Sequence, residues 1–356
     1  MISSRLMELV RCPDCGGRLG GTPPDLACGA CHRRFAANAE YLVLHPGVSF
    51  AEQTKYLDEA LHADARHEHV TPPLLSAKIR NDVLRSFLAP APGDTMVDLG
   101  CGSGRTLVWN ADLGAYPVGI DVSPYFAREA CDGADLVLGD LRRLPFGDAV
   151  FTKAAALDVF EHLSREALTD VLREAARVLA PGGQLFVYSH VRKNSPLAGG
   201  LKQINRLARW LERRGLVDLA RERLRKSDHL NPLADIPDLE GMAAAAGFRI
   251  ERIRYYTPLV GGFVENILVR AGEHWLARRA ASAGAAEGRV IDGNDAAREA
   301  RAAAKARVGR RGPAYAGLRL VTWVMKIDLL LFGRVRTGPY FALLRRDGNA
   351  GGSGGR

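Results

Sequence analysis

Apolar positions along the chain follow two different periods. Between residues 93 and 191, short apolar runs alternate with stretches whose apolar residues recur every three or four positions. The runs TMVDLG, YPVGID, ADLVLGD, AVFTKAAALD and QLFVYSHV predict five strands. Before the last of these, Ser164 is a helix N-cap and Glu166 sits in the first turn. Leu168, Val171, Leu172, Ala175, Val178 and Leu179 then mark one face, and Pro181-Gly182-Gly183 stops the helix. Strands separated by helices predict an α/β fold, a Rossmann-like, mostly parallel sheet with helices on both faces.

The flanks read differently. Residues 1–45 form a small unit around two cysteine pairs. Residues 46–92 are a polar connector with helical stretches at AEQTKYLDEALHADARHEH and LLSAKIRNDVLRSFL. Residues 192–247 are a basic helical insert, placed like a lid over the main domain of residues 93–271. FRIERIRYY and ENILVRA read as two further strands. Residues 272–312 are an Ala/Arg-rich linker, 313–346 an apolar amphipathic extension, and 347–356 a Gly-rich tail expected to be disordered.

Composition changes this picture little. The chain has 356 residues, 47% hydrophobic and 25% charged, with a net charge of +9 that is spread along its length. Such a balance is compatible with an anionic surface or RNA without demonstrating either. The first fifteen residues lack the apolar core of a secretory signal, and the cysteines are paired at short spacing. Both point to a reducing, cytoplasmic setting and to metal in preference to disulfides.

Chemistry concentrates at VDLGCGSGR, where a strand runs into Gly100, Gly102 and Gly104, with Asp98 two residues ahead of the first glycine. The G-x-G-x-G spacing is not the dinucleotide G-x-G-x-x-G. Asp121 ends the next strand, where an acid can accept hydrogen bonds from ribose hydroxyls. Asp140 ends the third strand and could accept from an adenine amino group. LDVFEHL follows the fourth strand, and LAPGGQLFVYS follows the capped helix.

Taken in order, VDLGCGSG, GIDVS, GDLRRLPF, ALDVFEHL and RVLAPGG resemble the class I S-adenosylmethionine (SAM)-dependent methyltransferases. The resemblance is greatest to the small-molecule subgroup that includes ubiquinone and menaquinone biosynthesis enzymes. It covers residues 93–191 well and 240–271 loosely. It implies a seven-stranded, mostly parallel sheet whose last strand is antiparallel. Carried over, it places Asp98, Gly100, Gly102 and Gly104 at the amino-acid end of SAM, and Asp121 with Val122 at the ribose. Asp140 with Leu141 falls at the adenine, and Leu157 with Asp158 near the sulfonium. Leu157 could equally be core and Asp158 a turn cap. His162 is the nearest candidate general base, although an Glu-His pair at this position often holds loop to helix. His229, after the basic helices, could face substrate, but reads more readily as a solvated loop residue.

Cys12, Cys15, Cys28 and Cys31, as C-x2-C pairs, predict a closed structural Zn2+ site in an N-terminal zinc ribbon. His62, His67 and His69 lack helical metal spacing and read as a solvated face. In the extension, Arg319, Thr322 and Lys326 share one face of an apolar stretch too short to span a bilayer, which suits either an interfacial helix or one docked on protein. The expectation is therefore a zinc-ribbon methyltransferase that uses SAM on an O or N nucleophile of a small or lipid-like substrate. Peripheral contact with the inner face of the membrane would run through 313–346. An RNA base methyltransferase and a non-catalytic SAM-fold scaffold are the alternatives.

Overall fold

The computed structural model describes residues 2–47, 69–193, 196–220, 223, 227, 229–286, 312–336 and 338–348. In chain order the helices are α1 (Ser4–Leu9), α2 (Leu75–Leu88), α3 (Arg105–Asn110), α4 (Arg128–Gly133), α5 (Arg165–Val178), α6 (Ala198–Arg213), α7 (Ile236–Ala245), α8 (Leu259–Phe263), α9 (Arg270–Ala286), α10 (Pro313–Met325) and α11 (Ile327–Phe332), with a π-helical turn over Val264–Val269. The strands are β1 (Leu19–Thr22), β2 (Asp25–Cys28), β3 (Arg34–Ala37), β4 (Tyr41–Val43), β5 (Thr95–Leu99), β6 (Tyr116–Asp121), β7 (Asp135–Leu138), β8 (Phe151–Leu157), β9 (Leu179–His190), β10 (Phe248–Tyr255) and β11 (Pro339–Arg346).

All eleven strands form one sheet in the order β1-β2-β3-β4-β7-β6-β5-β8-β9-β11-β10. β4 through β9 pair in parallel, and β11 runs antiparallel between β9 and β10. Every residue of β5 is buried, as befits a strand covered by helices on both faces, so its sequence is apolar without alternation apart from Thr95 and Asp98. Ser164 caps α5 as the sequence predicts, its hydroxyl accepting from the Ala167 amide at 3.1 Å.

Three expectations are corrected. ENILVRA is not a strand: the π turn and the start of α9 occupy it, and Val264 and Ile267 are buried on its inner side. The last antiparallel strand is β11, so the domain placed at 93–271 closes only at Arg346. The sequence hides this because β11 is buried without alternation from Tyr340 to Leu344 and reads as a continuation of the apolar stretch before it. The ribbon is also no separate unit. β4 pairs with β7, the Leu44 amide donates to the Leu138 carbonyl at 2.7 Å, and Leu6, Val10, Leu26, Phe35 and Leu42 share one core with Leu144 and Phe146.

The extension docks by its polar side. Thr322 Oγ1 accepts from the Leu75 amide (2.9 Å), Lys326 Nζ donates to Asp82 (2.6 Å), and Met325 and Leu329 pack with Ile79, Val83 and Phe341. Asp328, fully buried, accepts from the Val260 and Gly261 amides at 3.0 and 2.8 Å and so ties α11 to α8. Of the histidine cluster, His69 is exposed and meets Glu129 at 2.8 Å, while His62 and His67 lie outside the described residues, as do 287–311 of the linker and 349–356 of the tail.

Candidate active site

The glycine loop leaves β5 at the carboxyl edge of the sheet, where strand order reverses on either side of β5 and a crevice must open. Gly100, Gly102 and Gly104 take φ of +73°, +53° and +78°, the left-handed region. At Gly104 a Cβ would fall 2.5 Å from the Ala130 Cβ, so loop and α4 approach as closely as glycine allows. At Gly102 a Cβ would meet nothing within 4 Å, which leaves the backbone bare toward the crevice.

Asp121 organises this loop. One of its oxygens accepts from the Gly102 amide (2.7 Å) and the other from the amide and hydroxyl of Ser123 (2.9 and 2.8 Å), with Val122 half-buried between them. Asp98 is 2% exposed. Burial, and then the charge of Asp121, push its carboxyl up to about 7. Asp140 is buried at the end of β7 and accepts from the Arg142 amide at 2.8 Å. Leu141 Cδ1 lies 3.7 Å from the Cβ position of Gly100, which brings the third strand's end to the loop. The residues assigned to SAM on β5, β6 and β7 therefore converge on one crevice.

Beyond β8, Leu157 is half-buried and Asp158, at φ +56°, is exposed. Asp158 accepts from Arg80 at 2.5 Å. The Arg80 guanidinium also lies 5.3 Å from the centre of the Tyr188 ring. Burial opposes its charge, but neighbouring acids, Asp158 first and Glu265 after it, outweigh that and raise its pKa. His162 and His229 meet edge to face with ring centres 4.7 Å apart, and His190 approaches His229 at 6.3 Å. Glu161 is 1% exposed, and Ser189 Oγ donates to it at 2.6 Å. Burial opposes its charge, yet His190 and Ser189 hold its pKa below the ordinary value.

Arg80, Tyr188, His190 and the side chain of Glu161 were not among the residues the sequence singled out. Arg80 lies on α2, in what reads as connector, with no motif around it. Tyr188 and His190 did carry a signal: polar groups ending an apolar strand, where α/β sheets place ligands.

At the other end of the sheet the four cysteine sulfurs lie within 4.8 Å of one another, with Cys12–Cys31 at 3.7 Å and Cys15–Cys28 at 3.4 Å. Four thiolates at about 2.3 Å from a tetrahedral Zn2+ stand about 3.8 Å apart, so the donor set fits that ion. Amides of Cys31 and Ala30 point at the Cys28 sulfur and pull its pKa down to about 6, while burial pushes Cys12 up to about 12.

Parts of the chain are similar to known proteins. Residues 97–187 match the family model described as a methyltransferase domain. Probable tRNA methyltransferase 9B of Mus musculus is 32% identical over 139 residues, 36% of this chain and 31% of that protein. Demethylmenaquinone methyltransferase of Mycobacterium bovis is 36% identical over 104 residues, 29% of this chain and 44% of that protein. The cyclopropane synthase MmaA2 of Mycobacterium tuberculosis aligns over 83% of this chain and all of its own, at 16% identity and a TM-score of 0.47. The chain spans only 31% and 44% of the length of those two curated relatives. The segment that matches the methyltransferase model, residues 97–187, contains the glycine loop with Asp98, Asp121, Asp140, Leu157 and Asp158.

Proposed function

We propose that the protein transfers a methyl group from SAM to an oxygen or nitrogen of a small or lipid-like acceptor, with Zn2+ at Cys12, Cys15, Cys28 and Cys31 in a structural role. The observation that carries the reading is the bare backbone at Gly102 pinned by Asp121, with Asp98 and Asp140 on either side. SAM carries no pyrophosphate. It needs close backbone approach and acids for its ammonium, ribose and adenine, which this crevice supplies.

The sulfonium is already an activated leaving group, so the protein's task is alignment and exclusion of water. As the acceptor atom attacks, its bond to the methyl carbon forms while the carbon–sulfur bond breaks and sulfur keeps the electron pair. The acceptor approaches from the side of Asp158, Arg80 and Tyr188. His162 or His229 stands there to take a proton where the acceptor carries one.

The lipid-like class is favoured by the surface next to this site. Leu320, Trp323, Leu330 and Leu331 are each more than 60% exposed. Leu207, Trp210, Leu268 and Trp275 are also exposed, on helices that touch one another. Among the described residues no helix is long and apolar enough to cross a membrane. An RNA acceptor is the second reading, favoured by the mouse tRNA methyltransferase match. Titration calorimetry with SAM tests the site: wild type binds and Asp121→Ala loses at least about tenfold. Radiolabelled methyl from SAM, offered to a total lipid extract and to total RNA, tests the acceptor class. Label in RNA alone would overturn the lipid reading.

A further inference from the structure

We propose that Glu161, His162 and His229 form a second metal site, distinct from the cysteine cluster, which takes a divalent transition ion at the acceptor side of the pocket. One ligand atom from each lies within 4.8 Å of the other two. A carboxylate with two imidazoles suits Zn2+, Mn2+, Fe2+ or Co2+, and three protein ligands leave positions open for an oxygen of the acceptor.

Three features make this more than proximity. The Glu161 carboxylate is 1% exposed and its Oε2 accepts from Ser189 Oγ at 2.6 Å, which fixes the group and leaves Oε1 as its second donor atom. Oε1 lies 3.4 Å from His190 Nδ1, a buried atom that is not aligned for a hydrogen bond and has no such partner among the described residues. His190 is thereby a fourth donor within reach. Finally, the backbone holds the two segments that carry these side chains together. The Glu161 carbonyl accepts from both the Leu230 and Asn231 amides, at 2.8 and 2.9 Å, which fastens the segment after His229 to the turn bearing Glu161 and His162.

The site's place defines its use. Glu161 and His162 follow Asp158 by three and four residues, and His190 lies 5.7 Å from the Tyr188 ring. With His162 and His229 engaged as ligands, an ion there would take the place of an imidazole base: it would hold the acceptor's hydroxyl on the methyl-receiving side and acidify it, a role that rests on the proposed function. The binding of metal does not.

Cobalt(II) chloride titrated into the full-length, zinc-loaded protein tests the inference by absorption. A nitrogen–oxygen site gives weak d–d bands, whereas cobalt exchanged into the cysteine site adds intense sulfur charge transfer. We expect one equivalent of cobalt bound without sulfur charge transfer. The affinity should fall more than about tenfold in His162→Gln and in His229→Gln, each with wild-type circular dichroism and SAM affinity. Absence of that equivalent in the wild type at millimolar cobalt, or its retention in both variants, overturns the site. SAM binding and methyl transfer surviving in that case would leave the proposed function intact. A cobalt site in a protein that binds no SAM would do the reverse.

Discussion

Without ligand, Asp98 sits between an apolar surround and the charge of Asp121, which hold its carboxyl near neutrality at about 7. Its folded pKa thus lies above the ordinary carboxylate value, so the ligand-free protein takes up a proton that the unfolded chain does not. Its contribution to stability is present at low pH and declines as pH rises from about 4 to about 7. A cationic ammonium beside Asp98 favours the carboxylate instead. SAM affinity is therefore expected to rise severalfold from about pH 6 to about pH 7.5, and Asp98→Asn to bind more weakly with that dependence flattened, as calorimetry would show. A rise of equal size in the variant would remove Asp98 from the ammonium site. Two glycines of the loop separate folding from binding. Gly104→Ala forces a left-handed alanine against Ala130 and is expected to cost about 1–3 kcal/mol in denaturant unfolding. Gly102→Ala meets open space, so its stability loss should be about 1 kcal/mol and its larger effect a loss of SAM affinity.

At the scale of elements, the cysteine-bearing N-terminal strands border the crevice proposed for SAM. β4 is the neighbour of β7, whose end carries Asp140, and the Leu44 carbonyl lies 3.5 Å from the Cβ position of Gly139. Arg33, paired with Asp14, also donates to the His45 carbonyl at 2.9 Å and so joins the turn of the first cysteine pair to the end of β4. A ribbon whose fold depends on its metal would pass the loss of that metal to β7. Cys15→Ser or strong chelation is therefore expected to lower the melting temperature and to weaken SAM binding severalfold. Loss of zinc with unchanged SAM affinity would show that the ribbon is mechanically independent. Much of this architecture is legible in the sequence because each feature is local: a strand, its glycine turn, an acid at the next strand's end, a C-x2-C pair. What escapes reading is what tertiary contact creates. ENILVRA has the composition of a strand and is helical, with Ile267 and Ala271 packed against Ala208 and Val217. Arg80 reaches Asp158 across 78 residues, and nothing in α2 announces it.

At the scale of the molecule, three of the four tryptophans are exposed, and two of them carry an arginine guanidinium within 5 Å of the ring centre: Arg214 on Trp210 and Arg279 on Trp275. On α10 and α11 the polar groups Thr322, Lys326 and Asp328 turn inward, while Leu320, Trp323, Leu330 and Leu331 face solvent. Arg319, Arg334 and Arg336 are exposed around them. An amphipathic pair that docks by its polar side presents its apolar side to whatever lies outside, and basic neighbours suit an anionic lipid surface. Deleting residues 313–356 would not test this, because β11 would go with the helices. Phe341 would leave its place against Phe186 and Tyr188, and the sheet would lose a strand from between two others. The triple variant Leu320→Ser, Trp323→Ser, Leu331→Ser changes only exposed positions and should keep both its melting temperature and its SAM affinity. The wild type is expected to sediment with phosphatidylglycerol vesicles and not with neutral phosphatidylcholine, less so as salt is raised, and the variant to lose at least about tenfold in partitioning. Equal sedimentation of wild type and variant would remove the apolar face from the mechanism and return the choice of acceptor to the soluble metabolites and RNA.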